Sequence, residues 1–315
     1  MKIIYVSRSK TGVPHPFVKE QADVVSKNFK VNIQHFLISK GGIKGYSKAV
    51  LELLGTIKKS GADIIHVHYG LSALVVVLNK LLFFKDYKII ITFHGSDINK
   101  KSERKLSLLA AQFSSHNILV SEKMAPYFQK DFSVIPCGID TDIKLGCRQA
   151  TREEKGWGEN DFVVLFSSNF SREVKDPAFA FEVINAFSAS TSRRVQFIEL
   201  AGYSRTELTE LMQAADALIL CSKTEGSPQV VKEAILNALP VVANDVGDVE
   251  SICSGVDNCF IVPKKVEEFV RCLHLIASKN ARVQNRHPII RKFDNNMISN
   301  KLFNIYTKAI KSDMR

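Results

Sequence analysis

The chain switches between two hydrophobic periods, and it runs through that alternation twice. Short apolar, β-branched runs at 3–7, 31–36, 63–68, 88–93, 117–120 and 132–135 are spaced by amphipathic stretches at 16–27, 46–60, 71–84 and 102–114. Parallel strands need a long crossover, usually a helix, and a sheet covered on both faces has strands that are apolar almost throughout. The periodicity lapses over 138–160, a stretch rich in Gly, Thr, Arg and Glu that holds the only tryptophan, Trp157. It resumes with strands at 162–166, 194–200, 217–220, 240–243 and 259–261, and helices at 177–189, 205–215, 229–238, 266–278 and 295–311. The fold expected is α/β. Two parallel-sheet domains lie in series at 1–142 and 143–294, and a last helical segment, 295–315, returns toward the first domain. Ligands of such sheets bind beyond the carboxyl ends of the strands.

Length and composition narrow the function. With 315 residues, 45% hydrophobic and 24% charged, the chain is neither disordered nor fibrous. Its longest apolar stretch, 71–84, is interrupted by Ser72, Asn79 and Lys80 and falls short of the ~20 residues of a membrane span. The first seven residues read as a strand, without the order of charge, apolar run and cleavage site of a signal peptide. Cysteines at 137, 147, 221, 253, 259 and 272 form no C-x-x-C pair, so free thiols in a reducing cytoplasm are expected. The net charge of +11 is uneven: residues 1–142 hold 20 basic against 11 acidic side chains, and 143–315 hold 23 against 21. A positive first half favours phosphates, of a nucleic acid, an anionic lipid or a substrate, or is simply a solvated face. The nucleic-acid reading rests on charge alone, with no recognition motif or aromatic-interleaved basic run.

Residues 222–234 carry the most chemical information. Ser222-Lys223-Thr224-Glu225-Gly226-Ser227-Pro228-Gln229 follows an apolar strand and runs into a helix. Helix N-termini bind anions, and the carboxylates of Glu225 and Glu233 can accept hydroxyl hydrogen bonds from a sugar or ribose. The purely structural alternative makes Ser227 an N-cap with Pro228 at the first helical position. His94 closes the strand 88–93, where an imidazole can donate to a hydroxyl.

Glu225 through Glu233 resembles the E-x7-E signature of the retaining glycosyltransferases of family 4. Segments in that family's order accompany it: His66-Val67-His68, Thr92-Phe93-His94-Gly95-Ser96-Asp97, Val120-Ser121-Glu122, Ile135-Pro136-Cys137-Gly138-Ile139-Asp140 and Leu239 to Val249. The similarity spans nearly the whole chain, and its style is that of the cell-surface polysaccharide group, teichuronic acid enzymes included. It implies the GT-B fold, two Rossmann-like domains facing a cleft, with donor bound by the second and acceptor by the first. It implies that Glu233 binds the donor ribose, Glu225 the transferred sugar, and the Gly226 and Ser227 backbone the phosphates. Lys175 matches the family's diphosphate lysine, His94 the histidine near the donor sugar, and Gly12 a glycine of the loop after the first strand. The family's arginine is replaced by Ser168-Asn169, so Arg172 is the substitute candidate for the second diphosphate cation.

The function implied is transfer of a sugar from a nucleotide-sugar to a glycan or polyprenyl-diphosphate-linked acceptor, with retention. A non-catalytic nucleotide-binding protein of the same fold is the alternative. No cofactor or metal is expected. His66, His68 and His94 could approach a metal, but further ligands at suitable spacing are not evident, and Asp140-Thr141-Asp142 reads as a turn. The location expected is cytoplasmic, with the basic clusters around Lys40 to Lys48, Lys58-Lys59 and Lys100 to Lys105 suited to an anionic membrane surface.

Overall fold

The computed structural model describes residues 1–84 and 86–311, so the end of the closing segment, 312–315, lies outside the described residues. Two units divide the chain. The first runs from Met1 to Gly138 and takes in the segment that starts at Asn295; the second is Ile139–Asp294.

In the first unit β1 (Lys2–Arg8), α1 (Pro16–Phe29), β2 (Asn32–Ile38), α2 (Gly42–Ser60), β3 (Ile64–His68), α3 (Gly70–Phe83), β4 (Lys88–Phe93), α4 (Ser96–Asn99), α5 (Lys101–Gln112), β5 (His116–Leu119) and β6 (Phe132–Val134) follow one another. The sheet is parallel throughout, in the order β2-β1-β3-β4-β5-β6. Alternate residues of β1 serve opposite faces. Ile4 and Val6 join a core with Leu53 of α2, Val76 of α3 and Ala110 of α5. Ile3 and Tyr5 pack with Val18 and Ala22 of α1 and with Leu302 and Tyr306 of the C-terminal helix, Asn295–Lys311. All five residues of β3 are buried, as a strand covered on both faces requires. Local signals set the ends. Pro16 opens α1, and Gly61 closes α2 at φ 61° with its N–H on the Ile57 carbonyl at 2.9 Å.

The second unit contains α6 (Arg148–Glu154), β7 (Asp161–Phe166), α7 (Pro177–Ser190), β8 (Arg194–Glu199), α8 (Arg205–Ala214), β9 (Ala217–Leu220), α9 (Gln229–Leu236), β10 (Val241–Ala243), α10 (Val249–Cys253), β11 (Cys259–Ile261), α11 (Val266–Lys279) and α12 (His287–Phe293). Its parallel sheet has the order β11-β10-β9-β7-β8. Phe162, Val164 and Phe166 pack with α7 and α11, while Val163 and Leu165 pack with α8 and α9.

Two local expectations change. The stretch 138–160 is not a bare connection: it holds α6, anchored by Arg148 and Arg152 on Asp216 at 2.5 and 3.2 Å. Polar anchoring gives no apolar period, which is why the pattern missed it. The cap of α9 is Pro228, not Ser227, while the helix starts at Gln229 as the pattern places it. All six cysteines are free thiols. Among the described residues no helix is long and apolar enough to cross a membrane.

Candidate active site

In a doubly wound sheet the place to look is where neighbouring strands send their chains to opposite faces, because a crevice opens there at the carboxyl edge. In the second unit that place is β7 beside β9: β7 leads to α7 on one face and β9 to α9 on the other. Lys175 lies in the turn after β7 and Glu225 in the loop after β9, and Lys175 Nζ meets Glu225 Oε1 at 2.5 Å. The Ser222 hydroxyl donates to the same oxygen at 2.6 Å. Lys175 is only 8% exposed, so the pair is held in a poorly solvated position where charge acts strongly. Next to it, Asp176 adopts φ 56° and its carboxylate takes Lys264 Nζ at 2.6 Å. Arg172 is exposed, and its guanidinium donates to Ser168 Oγ at 3.1 Å.

The backbone of Gly226 is braced from the next loop. Its carbonyl accepts from the Asp248 N–H at 3.1 Å, and a Cβ on Gly247 would stand 2.4 Å from that oxygen. With φ at +59°, position 247 requires glycine on both counts. The Ser227 hydroxyl is buried, and so is Asp248, whose carboxyl burial pushes up to about 6 against the pull of Lys232. Glu233, in the second turn of α9, forms an ion pair with Arg205, the first residue of α8. The structure therefore joins Lys175 and Glu225 directly and engages Glu233 separately.

The first unit has its own switch point, β1 beside β3, where α1 and α3 depart to opposite faces. Gly12 is at the exposed tip of the loop after β1, at φ 78°, above a tie from Ser9 Oγ to the Val13 carbonyl at 2.6 Å. Tyr69, directly after β3, is held at φ 74°, a sparsely populated conformation for a side chain of its size. His94 follows β4, with the rings of Tyr69 and Phe17 4.6 and 4.9 Å away. Its Nε2 lies 3.0 Å from His68 Nδ1, and its Nδ1 3.6 Å from Cys137 Sγ. Asp97 fixes the loop by accepting the N–H groups of Gly70, Gly95 and His94 at 3.0 to 3.1 Å. Burial drives His94 down to about 3 and raises Asp97 to about 6, the latter opposed by those N–H donors. His94 is thus a neutral imidazole at pH 7.

His66 and His68 share one strand face but serve different partners. His66 bonds Tyr306 at 2.6 Å and Thr92 at 2.7 Å, and Tyr306 bonds Tyr5 at 2.7 Å. Among the described residues no group of three or more His, Cys, Asp or Glu side chains is placed to hold a metal ion. Asp140 accepts the Asp142 N–H at 3.0 Å, and Thr141 turns to Asp294 at 2.5 Å, a turn as the sequence suggests.

Ser222, Arg205, His68, Asp97 and Gly247 were not assigned roles by the sequence. His68, Asp97 and Gly247 lie inside family-like segments, so a signal existed for them. Arg205 gives none, since 28 residues separate it from Glu233.

Comparison with known proteins gives this geometry a family. Residues 14–143 match the profile of Glycosyltransferase Family 4, and residues 162–278 that of Glycosyl transferases group 1. TuaC of Bacillus subtilis (strain 168), named as a teichuronic acid biosynthesis glycosyltransferase, is 25% identical over 238 residues, 67% of this chain. The match spans 60% of that relative's length. Among solved structures, sucrose-phosphate synthase from Thermosynechococcus elongatus superposes with a TM-score of 0.82 at 15% identity, covering 99% of each chain. HepE of Anabaena, in complex with UDP-glucose, gives 0.74 at 15% identity over 98% of this chain and all of its own. The lipopolysaccharide outer core galactosyltransferase WaaB gives 0.71 at 16% identity over 98% of this chain and all of its own. The fold is GT-B, and the chain belongs to the family-4 glycosyltransferases.

Proposed function

We propose that the chain transfers a sugar, with retention, from a nucleotide-sugar to a glycan or lipid-linked acceptor of cell-surface polysaccharide synthesis. The observation that carries this is the Lys175–Glu225 pair at the β7/β9 switch point, at the mouth of α9. A diphosphate placed there would take Lys175 and sit toward the start of α9, leaving Glu225 to accept sugar hydroxyls. Arg172 would supply a second cation from the exposed side, and Glu233 would receive the ribose hydroxyls while Arg205 holds its carboxylate. Solved HepE binds UDP and UDP-glucose, and the TuaC and WaaB names lie in envelope polysaccharide synthesis, which supports the donor class and the setting.

In the reaction the bond from the anomeric carbon to the departing phosphate oxygen breaks as the acceptor oxygen bonds the same face of that carbon. The acceptor proton passes to the phosphate oxygen that leaves. Lys175 is the group best placed to stabilise the charge growing on the diphosphate. His94, neutral, would have to release His68 or Cys137 before it could bond the sugar. No metal enters this scheme, and we place the enzyme in the cytoplasm, at the membrane face where lipid-linked acceptors are found.

The test is a thermal-shift panel of UDP-, GDP-, ADP- and dTDP-sugars, followed by transfer assays with the binder, with and without EDTA. One nucleotide-sugar should raise the melting temperature by mass action and then turn over in EDTA. Binding without transfer to any lipid-linked or oligosaccharide acceptor would instead indicate a nucleotide-binding protein. Loss of turnover in EDTA, restored by Mg²⁺, would bring a metal into the scheme.

A further inference from the structure

Helix α9 starts at the proposed diphosphate site, and one of its buried residues is a cation. Lys232 is 0% exposed, on a helix that packs against α10 and α12. Side chains of a helix lean toward its N-terminus, and the ammonium comes back to the first turn, 2.8 Å from Gln229 Oε1. The ring of Phe293, the last residue of α12, is centred 4.4 Å away. A methionine or leucine would fill this space without the cost of desolvating a charge. The positive end of the helix dipole also opposes a cation there. Filling the core therefore does not explain the charge.

The buried acid that feels this charge is Asp248. Its Oδ1 is buried with no hydrogen-bond partner, so the carboxylate depends on nearby charge. Lys232 of α9 supplies most of it; Ser227 faces the group from the loop before α9, and Lys292 from α12. Asp248 is also the residue whose N–H holds the Gly226 carbonyl at 3.1 Å. One residue thus connects a buried cation to the backbone that the diphosphate would approach.

We propose that Lys232 is a positioning residue: paired with Asp248, it clamps the loop after β10 onto Gly226 and so presets the backbone of Gly226 and Ser227 for the donor diphosphate. The positioning role rests on the donor reading above, whereas the pairing does not. Burial lifts the Asp248 carboxyl to about 6 even with Lys232 acting on it. Above that pH the pair is intact. Below it the carboxyl takes up a proton, Lys232 loses its countercharge, and the clamp on Gly226 slackens.

The experiment measures, across the pH range around the Asp248 transition, the affinity of the full-length protein for the UDP-, GDP-, ADP- or dTDP-sugar that the thermal-shift panel selects. A nucleotide-sugar is used because a free diphosphate ends in a phosphate that itself titrates at about pH 6. Wild-type affinity should fall about tenfold between about pH 8 and about pH 5, the effect of one linked proton. Asp248→Asn, a neutral isostere of the protonated acid, should bind at every pH as weakly as the wild type does in acid. Lys232→Met should raise the midpoint by about one pH unit or more, and Lys232→Arg should restore it. Lys232→Met/Asp248→Asn leaves no buried charge unpaired and should recover most of the affinity at all pH values. A lysine that only fills space would change the melting temperature and leave the midpoint where it was. Wild-type affinity that is flat with pH, or a slope that survives Asp248→Asn, overturns the proposal, and both are readable even if Lys232→Met does not fold. The ligand-free readout is the carboxyl carbon NMR signal of Asp248, identified by its loss in Asp248→Asn; its midpoint should rise in Lys232→Met. A signal indifferent to Lys232→Met refutes the pairing. A wild type that binds no nucleotide-sugar refutes the donor reading and the positioning role with it, while the carbon signal still judges the pair, so the two failures are told apart.

Discussion

At the carboxyl edge of the first sheet, His66, His68 and His94 lie packed against tyrosines and stay neutral; at the same edge of the second, Lys175 and Glu225 face each other as ions. The topology is the same, a switch point in a parallel sheet, but the side chains obey different rules. Burial with hydrogen-bond partners, and no countercharge, keeps an imidazole uncharged. A lysine and a carboxylate at such a depth need each other, or a ligand that replaces one of them. The first edge is therefore suited to shape and to hydrogen bonding of an uncharged hydroxyl. The second is suited to exchanging an internal ion pair for a diphosphate.

Acid should separate the two units most sharply. His66 and His94 are held near 3 and His68 well below its ordinary value by burial. From about pH 6.5 down to about 3 the unfolded chain takes up protons that the folded unit refuses, so stability falls as pH falls. Each of the three adds to this loss, as do His35 and His116, whose proton affinity burial also lowers. Asp97, raised to about 6, binds a proton when folded and subtracts one such contribution between about pH 4 and 6. In that window the first unit should still lose stability as the pH falls, because the histidines outnumber Asp97. In the second unit Asp248, also raised to about 6, gives a smaller change of opposite sign. Trp157, the only tryptophan, lies in the second unit and reports it selectively. Urea unfolding at pH 7 and pH 5 should show the circular dichroism midpoint falling well before the tryptophan midpoint. Midpoints that shift together would show that the difference between the units is not one of buried histidines.

The catalytic difference comes next. Lys175→Ala should lower kcat by about 10²–10³, the usual cost of losing a group that stabilises developing charge, with a smaller rise in KM. His94→Ala should cost less, because a neutral imidazole bears no leaving-group charge. Reversal of that order in steady-state kinetics would move the main electrostatic work to the first unit. Smaller still, Glu233→Ala should weaken nucleotide binding by about 1.5–3 kcal/mol, the worth of hydrogen bonds to a charged group, with kcat little changed. Isothermal titration with the preferred nucleotide checks this. An unaltered affinity would remove the ribose role and leave Glu233 as the partner of Arg205.

Much of this was legible before any coordinates. Parallel strands buried on both faces betray themselves as apolar runs, so both sheets could be read from the sequence, and the resemblance singled out Glu225 by the acidic signature and Lys175 by a separate match, two side chains that the structure brings together. Other features are invisible to local pattern. Helix α6 is fixed by Arg148 and Arg152 on Asp216, contacts that leave no period. The cap of α9 is Pro228 rather than Ser227, whose hydroxyl is buried, although the helix starts at 229 where the pattern places it. The His68–His94 pairing depends on the register of β3 and β4.

The central claim is that a diphosphate competes with Glu225 for Lys175, and Glu225→Gln tests it most directly. Titration of this variant with the nucleoside diphosphate and with the matching nucleotide-sugar should give opposite results. Without the rival carboxylate, Lys175 should hold the bare diphosphate as tightly as in the wild type or a few-fold tighter, roughly the gain of one freed charge. The nucleotide-sugar, deprived of its sugar contact, should lose that advantage and bind no better than the diphosphate. If both ligands weaken equally, Glu225 does not compete for Lys175 and the pair is structural.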